Sequence, residues 1–250
     1  MGYFVFEKVS LSNGKEWNVS KATIAKDSNL YLKAIEQAQM KAAHTMVASQ
    51  AGQYRSPELK FNRQLMGTLA EITAQEFLKE GIRALEIEDK WEIIRYDDIR
   101  TDDFKSPENE YDIKAFRLVS AKKEYFIESR SSIVKDRSLT EAIDSFHIIG
   151  SYNSIAKNQE KPNDFYLLPL HYITNRASSY LPSRYQEYFE NGDIQIYIVS
   201  GCSHSFLERQ GSINNLQQGT TQYKVIKASQ ATDALEFQKR FSEFLNNKIE

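Results

Sequence analysis

Apolar positions recur at helical spacing along residues 27–50, with Leu32, Ile35, Ala42 and Met46 on one stripe and Asp27 or Ser28 able to cap the start. Gly52 closes that segment, and residues 53–57 read as a break whose Pro57 suits the first turn of a second helix over about 58–80, stopped by Gly81. The pattern then shortens. Residues 92–96 form a brief strand, 97–109 a polar loop with a Ser-Pro pair, and 110–119 and 123–130 two strands joined tightly around Ser120 and Ala121. Ser138 caps a helix through Phe146 that can continue past a break at Gly150. Strands rich in Tyr, Ile, Leu and Val follow at 164–173 and 194–200, around a short helix at 180–189 closed by Asn191 and Gly192. A last helix covers 231–247. The order helix, helix, strand, hairpin, helix, strand, strand, helix predicts an α/β fold with a central mixed sheet flanked by helices.

Length and composition narrow this picture. At 250 residues, with no linker and no repeat, the chain is expected to form one domain, residues 1–250. No apolar run is long enough to span a bilayer, and the opening MGYFVFEKVS lacks the basic and apolar regions of a signal peptide. A single cysteine, Cys202, excludes an internal disulfide and a cysteine-rich zinc site. A cytoplasmic location without a membrane partner is the expectation. The formal net charge of −2 argues against nucleic-acid binding through a bulk positive field, so any such contact needs a local patch. Charge is distributed unevenly: acids dominate residues 86–110 and bases residues 111–140.

Candidate chemistry lies in the hairpin, in Tyr111-Asp112-Ile113-Lys114 and Phe126-Ile127-Glu128-Ser129-Arg130. Side chains alternate faces along a strand. A turn symmetric about Ser120 places Asp112 opposite Glu128 and Lys114 opposite Phe126, with Ile113 meeting Ile127 and Ala115 meeting Tyr125 on the other face. The register that pairs the apolar residues therefore also pairs the acids. Two carboxylates facing one another repel unless a cation sits between them, and oxygen donors suit Mg²⁺. The alternative is two solvated acids beside Lys114 and Arg130.

This arrangement resembles the PD-(D/E)XK, or restriction-endonuclease-like, nucleases, whose pattern is a Glu-bearing helix followed by a hairpin with Asp on one strand and Glu-x-Lys on the next. The matching helix runs from Gly67 to Leu78 and carries Glu71 beside the small residues Gly67, Ala70 and Ala74. The resemblance covers roughly residues 65–173 and departs from the pattern where Arg130 stands in place of the usual Lys. It implies a catalytic core over about 57–173, a helical part at 1–56 and a C-terminal part at 174–250 packed on it. Asp112, Glu128 and the Ser129 carbonyl would bind Mg²⁺, Glu71 would orient metal-bound water, and Arg130, with Lys114 nearby, would meet charge on the phosphate. An arginine cannot act as a base, but its fork can clamp phosphate oxygens.

The expected activity is Mg²⁺-dependent cleavage of double-stranded DNA, in a type II restriction enzyme acting as a homodimer. The other reading is an inactive nuclease-fold module that binds DNA or assembles with partners. Arg55, Lys60 and Arg63, or Arg176 and Arg184, are candidates for DNA contacts. A Cys202-Ser203-His204 nucleophile pair is disfavoured, because neighbours at a strand end seldom have the needed geometry.

Overall fold

The computed structural model describes residues 4–45, 56–105, 111–119, 123–135, 137–153, 161–173, 188–189, 193–216 and 222–248. Two strands, β1 (Phe4–Ser10) and β2 (Glu16–Ile24), precede the first helix, α1 (Asn29–His44). Ser28 caps α1, its Oγ accepting the Tyr31 N–H at 3.2 Å. Ser56 does the same for α2 (Pro57–Ala84), with Pro57 in its first turn.

Three antiparallel strands follow: β3 (Trp91–Arg95), β4 (Ile113–Arg117) and β5 (Glu124–Ser129). Then come β6 (Ser132–Lys135), α3 (Leu139–Ser145) and β7 (His147–Asn153), before β8 (Phe165–Ile173) returns parallel to β5 and β6. The rest comprises β9 (Ile194–Ser203), α4 (His204–Gln210), β10 (Ser212–Asn214), β11 (Gln222–Lys227), β12 (Thr232–Asp233) and α5 (Ala234–Asn246).

The architecture is α/β. A nine-stranded mixed sheet runs β1-β2-β9-β8-β5-β4-β3, with β12 on β9 and β6 on β8, and β10-β11-β7 form a second, three-stranded sheet. One face of the main sheet carries Ile93, Ile113, Ala115, Ile127, Phe165 and Leu167, buried against Ala74, Phe77 and Leu78 of α2 and Phe237 and Phe241 of α5. The other carries Tyr166, Leu168, Tyr197 and Val199 under α3, α4 and the small sheet. α1 packs on α2 over Ile24, Ile194 and Ile196. Among the described residues no helix is long and apolar enough to cross a membrane.

Several expectations change. The amino-terminal hairpin, α4, β10 and β11 were not anticipated. β1 is an edge strand whose exposed and half-buried positions give no clean two-residue alternation. The helix capped by Ser138 does not continue toward Gly150: it ends at Ser145, and His147–Asn153 pairs instead with β11. Gly81 does not stop its helix. It lies inside α2, where a Cβ would stand 2.5 Å from Ser242 Oγ and 2.7 Å from Gln238 Cγ of α5, so its bare backbone sets the approach of the two helices. The connection at Ser120 and Ala121, the residues Arg55, Arg176 and Arg184, and the 180–189 helix apart from Tyr188 and Phe189 lie outside the described residues.

Candidate metal centre

The hairpin has the register expected from its apolar residues: Ile113 faces Ile127, Lys114 faces Phe126, Ala115 faces Tyr125 and Phe116 faces Glu124. The buried Ile113, Ala115 and Ile127 lock it, since a slip of one residue would send all three to the opposite face. Asp112 directly precedes β4 and Glu128 lies next to last in β5, so both stand at the end of the hairpin away from its turn.

The regular ladder gives way at Asp112. Its N–H reaches Ile127 O at 3.3 Å, its carbonyl accepts the Tyr96 N–H at 2.9 Å, and its Oδ2 accepts the Ser129 N–H at 2.7 Å. Tyr111 packs on Phe126 with ring centroids 4.7 Å apart and on Tyr96 at 5.6 Å, which fixes the chain just before Asp112. The Asp112 carboxylate thus bridges to the backbone of the strand that carries Glu128, through the stronger class of hydrogen bond in which one partner is charged.

Glu128 is buried. Its Oε1 accepts from Arg130 Nε at 2.7 Å and its Oε2 from Asn163 Nδ2 at 3.2 Å. Arg130 also donates through Nη1 to the Gly150 carbonyl of β7 at 3.2 Å. Asn163, itself buried, is held where the next residue, Asp164, extends the sheet: the Phe126 N–H donates to Asp164 Oδ2 at 2.8 Å, and the Asp164 N–H to Phe126 O at 2.9 Å. A buried carboxylate is costly unless its charge is met by donors. Arg130 and Asn163 meet it here. Sequence reasoning missed Asn163, since nothing local to Lys161-Pro162-Asn163-Asp164 marks a partner 35 residues away.

The other expected residues are placed differently. Lys114 Nζ lies 2.9 Å from Glu124 Oε1, so it leans toward the turn of the hairpin and away from Glu128. Because α2 packs on the Ile113 and Ile127 face, Glu71 approaches the sheet from the side opposite the Glu128 side chain. Its Oε2 is 3.5 Å from Lys41 Nζ of α1, which lies 2.5 Å from Asp97 Oδ2.

Around that pair is a largely buried network of opposite charges. Arg95, fully buried, meets Asp98 at 3.3 Å, Gln37 of α1 and the Thr68 carbonyl of α2, and Arg100 meets Asp102 at 2.7 Å. Burial pushes the Asp98 carboxyl up, but the Arg95 charge and hydrogen bonds from Lys33 and Gln37 more than offset it and hold it below the usual carboxylate range. This network ties α1, α2 and the end of β3 together. Glu71 thereby ties α2 to Lys41 of α1.

Among the described residues no group of three or more His, Cys, Asp and Glu side chains is placed to hold a metal ion. Asp112 and Glu128 are carboxylates of the kind a hard cation takes, with Asp112 Oδ2 bonded to the Ser129 N–H and the Glu128 oxygens to Arg130 and Asn163. Beside them the buried Ser129 hydroxyl finds no hydrogen-bond partner among the described residues. Cys202 is no nucleophile: it is buried and burial pushes its thiol up to about 12.

No family model and no solved structure matches the chain. It is similar to a protein described as the uncharacterized protein MJECS01 of Methanocaldococcus jannaschii, 24% identical over 278 aligned positions that cover 98% of each chain.

Proposed function

We propose that this chain is a metal-dependent endonuclease that hydrolyses phosphodiester bonds in duplex DNA, of the restriction-endonuclease-like kind its hairpin resembles. One observation carries the reading. The hairpin register brings Asp112 and Glu128 to the same end of adjacent strands, with the Asp112 carboxylate on the Ser129 N–H, between the Glu71 helix and a following parallel strand. The Asp112 and Glu128 carboxylates, with the Ser129 carbonyl, would hold Mg²⁺, which when bound supplies a Lewis acid and acidifies a coordinated water.

The chain's own residues do the rest. Asn163 and Arg130 fix the orientation of Glu128. Arg130, a cation that stays protonated, stabilises negative charge on the phosphate but takes no proton from water. Glu71, paired with Lys41 on the α2 side of the sheet, would reach metal-bound water only past the strand end where Asp112 stands. Lys114, engaged by Glu124, is the second candidate for the cationic role. A type II restriction enzyme working as a homodimer on a two-fold site is the biological role this reading favours.

A second reading is a DNA-binding or assembly module without activity. The contact of Arg130 with Glu128, which spends part of its fork on a neighbouring carboxylate, favours it. Supercoiled plasmid incubated with the protein separates the two. Nicked and linear DNA appearing with Mg²⁺ and halted by EDTA is the result expected of the nuclease; intact plasmid under both conditions is the result expected of the module.

A further inference from the structure

We infer that the cleft between α2 and β6 holds backbone phosphates of the DNA strand that flanks the bond to be cut, an inference that rests on the nuclease reading and names the surface through which substrate binds. The cleft has a volume of about 490 Å³ and is lined by Arg63, Met66 and Gly67 of α2, by Ser131, by Ser132, Ile133 and Lys135 of β6, and by Arg137 and Phe146. Every ionisable group among its lining residues is a cation. In a chain of net charge −2 this is the local basic patch that nucleic-acid binding requires. The hydroxyls of Ser131 and Ser132 add the neutral donors that commonly meet phosphate oxygens.

The cleft also abuts the candidate centre. Ser131 directly follows Arg130, and Gly67 lies one helical turn before Glu71. Gly67 is itself informative. Glycine is among the poorest residues for a helix interior, and is usually kept there by close packing. Among the described residues no such packing exists: the nearest atom to a Cβ built at Gly67 is Glu71 Oε1, at 4.0 Å, an ordinary separation. What the missing side chain does is leave the wall of the cleft bare.

The test is binding of a short fluorescein-labelled DNA duplex in EDTA, where no cleavage intervenes, across a salt series. The parent should bind, with affinity falling steeply as salt rises. Replacing the three cations together (Arg63→Gln, Lys135→Gln, Arg137→Gln) should weaken binding about tenfold or more. The slope of log affinity against log salt should also become shallower, by about 0.9 for each phosphate left without its cation. Gly67→Gln, which improves helix propensity and so should fold, should fill the cleft and weaken binding as well.

Parent-like affinity and slope in the triple variant or in Gly67→Gln, or no binding by the parent, overturns the inference. Full displacement of the duplex by equimolar inorganic phosphate also overturns it, since the cleft then takes a free anion and no strand. Failure of the nuclease reading looks different: cleft-dependent binding in EDTA with no cleavage in Mg²⁺ retains the cleft and removes the enzyme.

Discussion

Arg130 holds two groups at once, and this determines what its removal does. Its Nε bond orients Glu128 and its Nη1 bond ties that corner to β7. Arg130→Ala should abolish cleavage, with Mg²⁺ affinity falling less than in Glu128→Ala, because arginine offers no metal ligand. Arg130→Lys should retain measurable activity, since an ammonium there still meets the phosphate charge without the fork. Metal titration beside cleavage rates separates the two variants; full activity in Arg130→Ala would move the cationic role to Lys114.

His171 supports a prediction about stability, also at the scale of one residue. It is fully buried, with Nε2 2.9 Å from the Met66 carbonyl and Nδ1 3.0 Å from the Tyr188 hydroxyl, and burial pulls its pKa from 6.5 down to about 4. A base whose folded pKa is depressed binds fewer protons than in the unfolded chain. Its contribution is therefore complete above about pH 6.5 and is lost as the pH falls to about 4. Denaturant titrations should show stability dropping through that window in the parent and dropping less in His171→Gln. Equal slopes in the two proteins would contradict the assignment.

At the scale of elements, Gly81 offers the sharpest test of the packing. Alanine in a helix interior is worth about 1 kcal/mol over glycine, whereas overpacking a filled core costs about 1–3 kcal/mol. Gln238 cannot swing aside without losing its bond from Nε2 to the Phe77 carbonyl at 2.6 Å. Gly81→Ala should thus be destabilised by on the order of 1 kcal/mol, read as a lower melting temperature; a higher one would mean that α2 and α5 do not touch there. The same glycine explains one failure of reading from sequence, because a glycine that admits a neighbouring helix and one that ends a helix look alike until the neighbour is known. The hairpin was legible because the buried pair Ile113 and Ile127, with buried Ala115 opposite the partly buried Tyr125, permits one register. The segment 147–153, into which the Ser138 helix could have continued, pairs with the unpredicted strand β11, an association between segments far apart in sequence. Asn163, the buried partner of Glu128, was hidden for the same reason. The two carboxylates were visible locally; the groups that hold them were not.

At the scale of the molecule, the sheet divides the candidate machinery between its faces. Glu128, Arg130 and Asn163 stand on the side covered by the small sheet, and Glu71 with Lys41 and Asp97 on the side covered by α1 and α2. Asp112, at the strand end, reaches across to the Ser129 backbone. The cleft between α2 and β6 is lined by Ser131, which directly follows Arg130 in the chain. The central claim is that Asp112 and Glu128 form one metal-binding unit that cuts DNA. It is tested most directly by plasmid cleavage in Mg²⁺ by the parent, Asp112→Asn and Glu128→Gln, compared side by side with melting temperatures matched. Outer partners of a metal site alone are worth about 10–100-fold in activity, so loss of a ligand should cost roughly a hundredfold or more in each variant. Cleavage by the parent that either variant matches, or no cleavage by the parent with any divalent metal, would contradict the account.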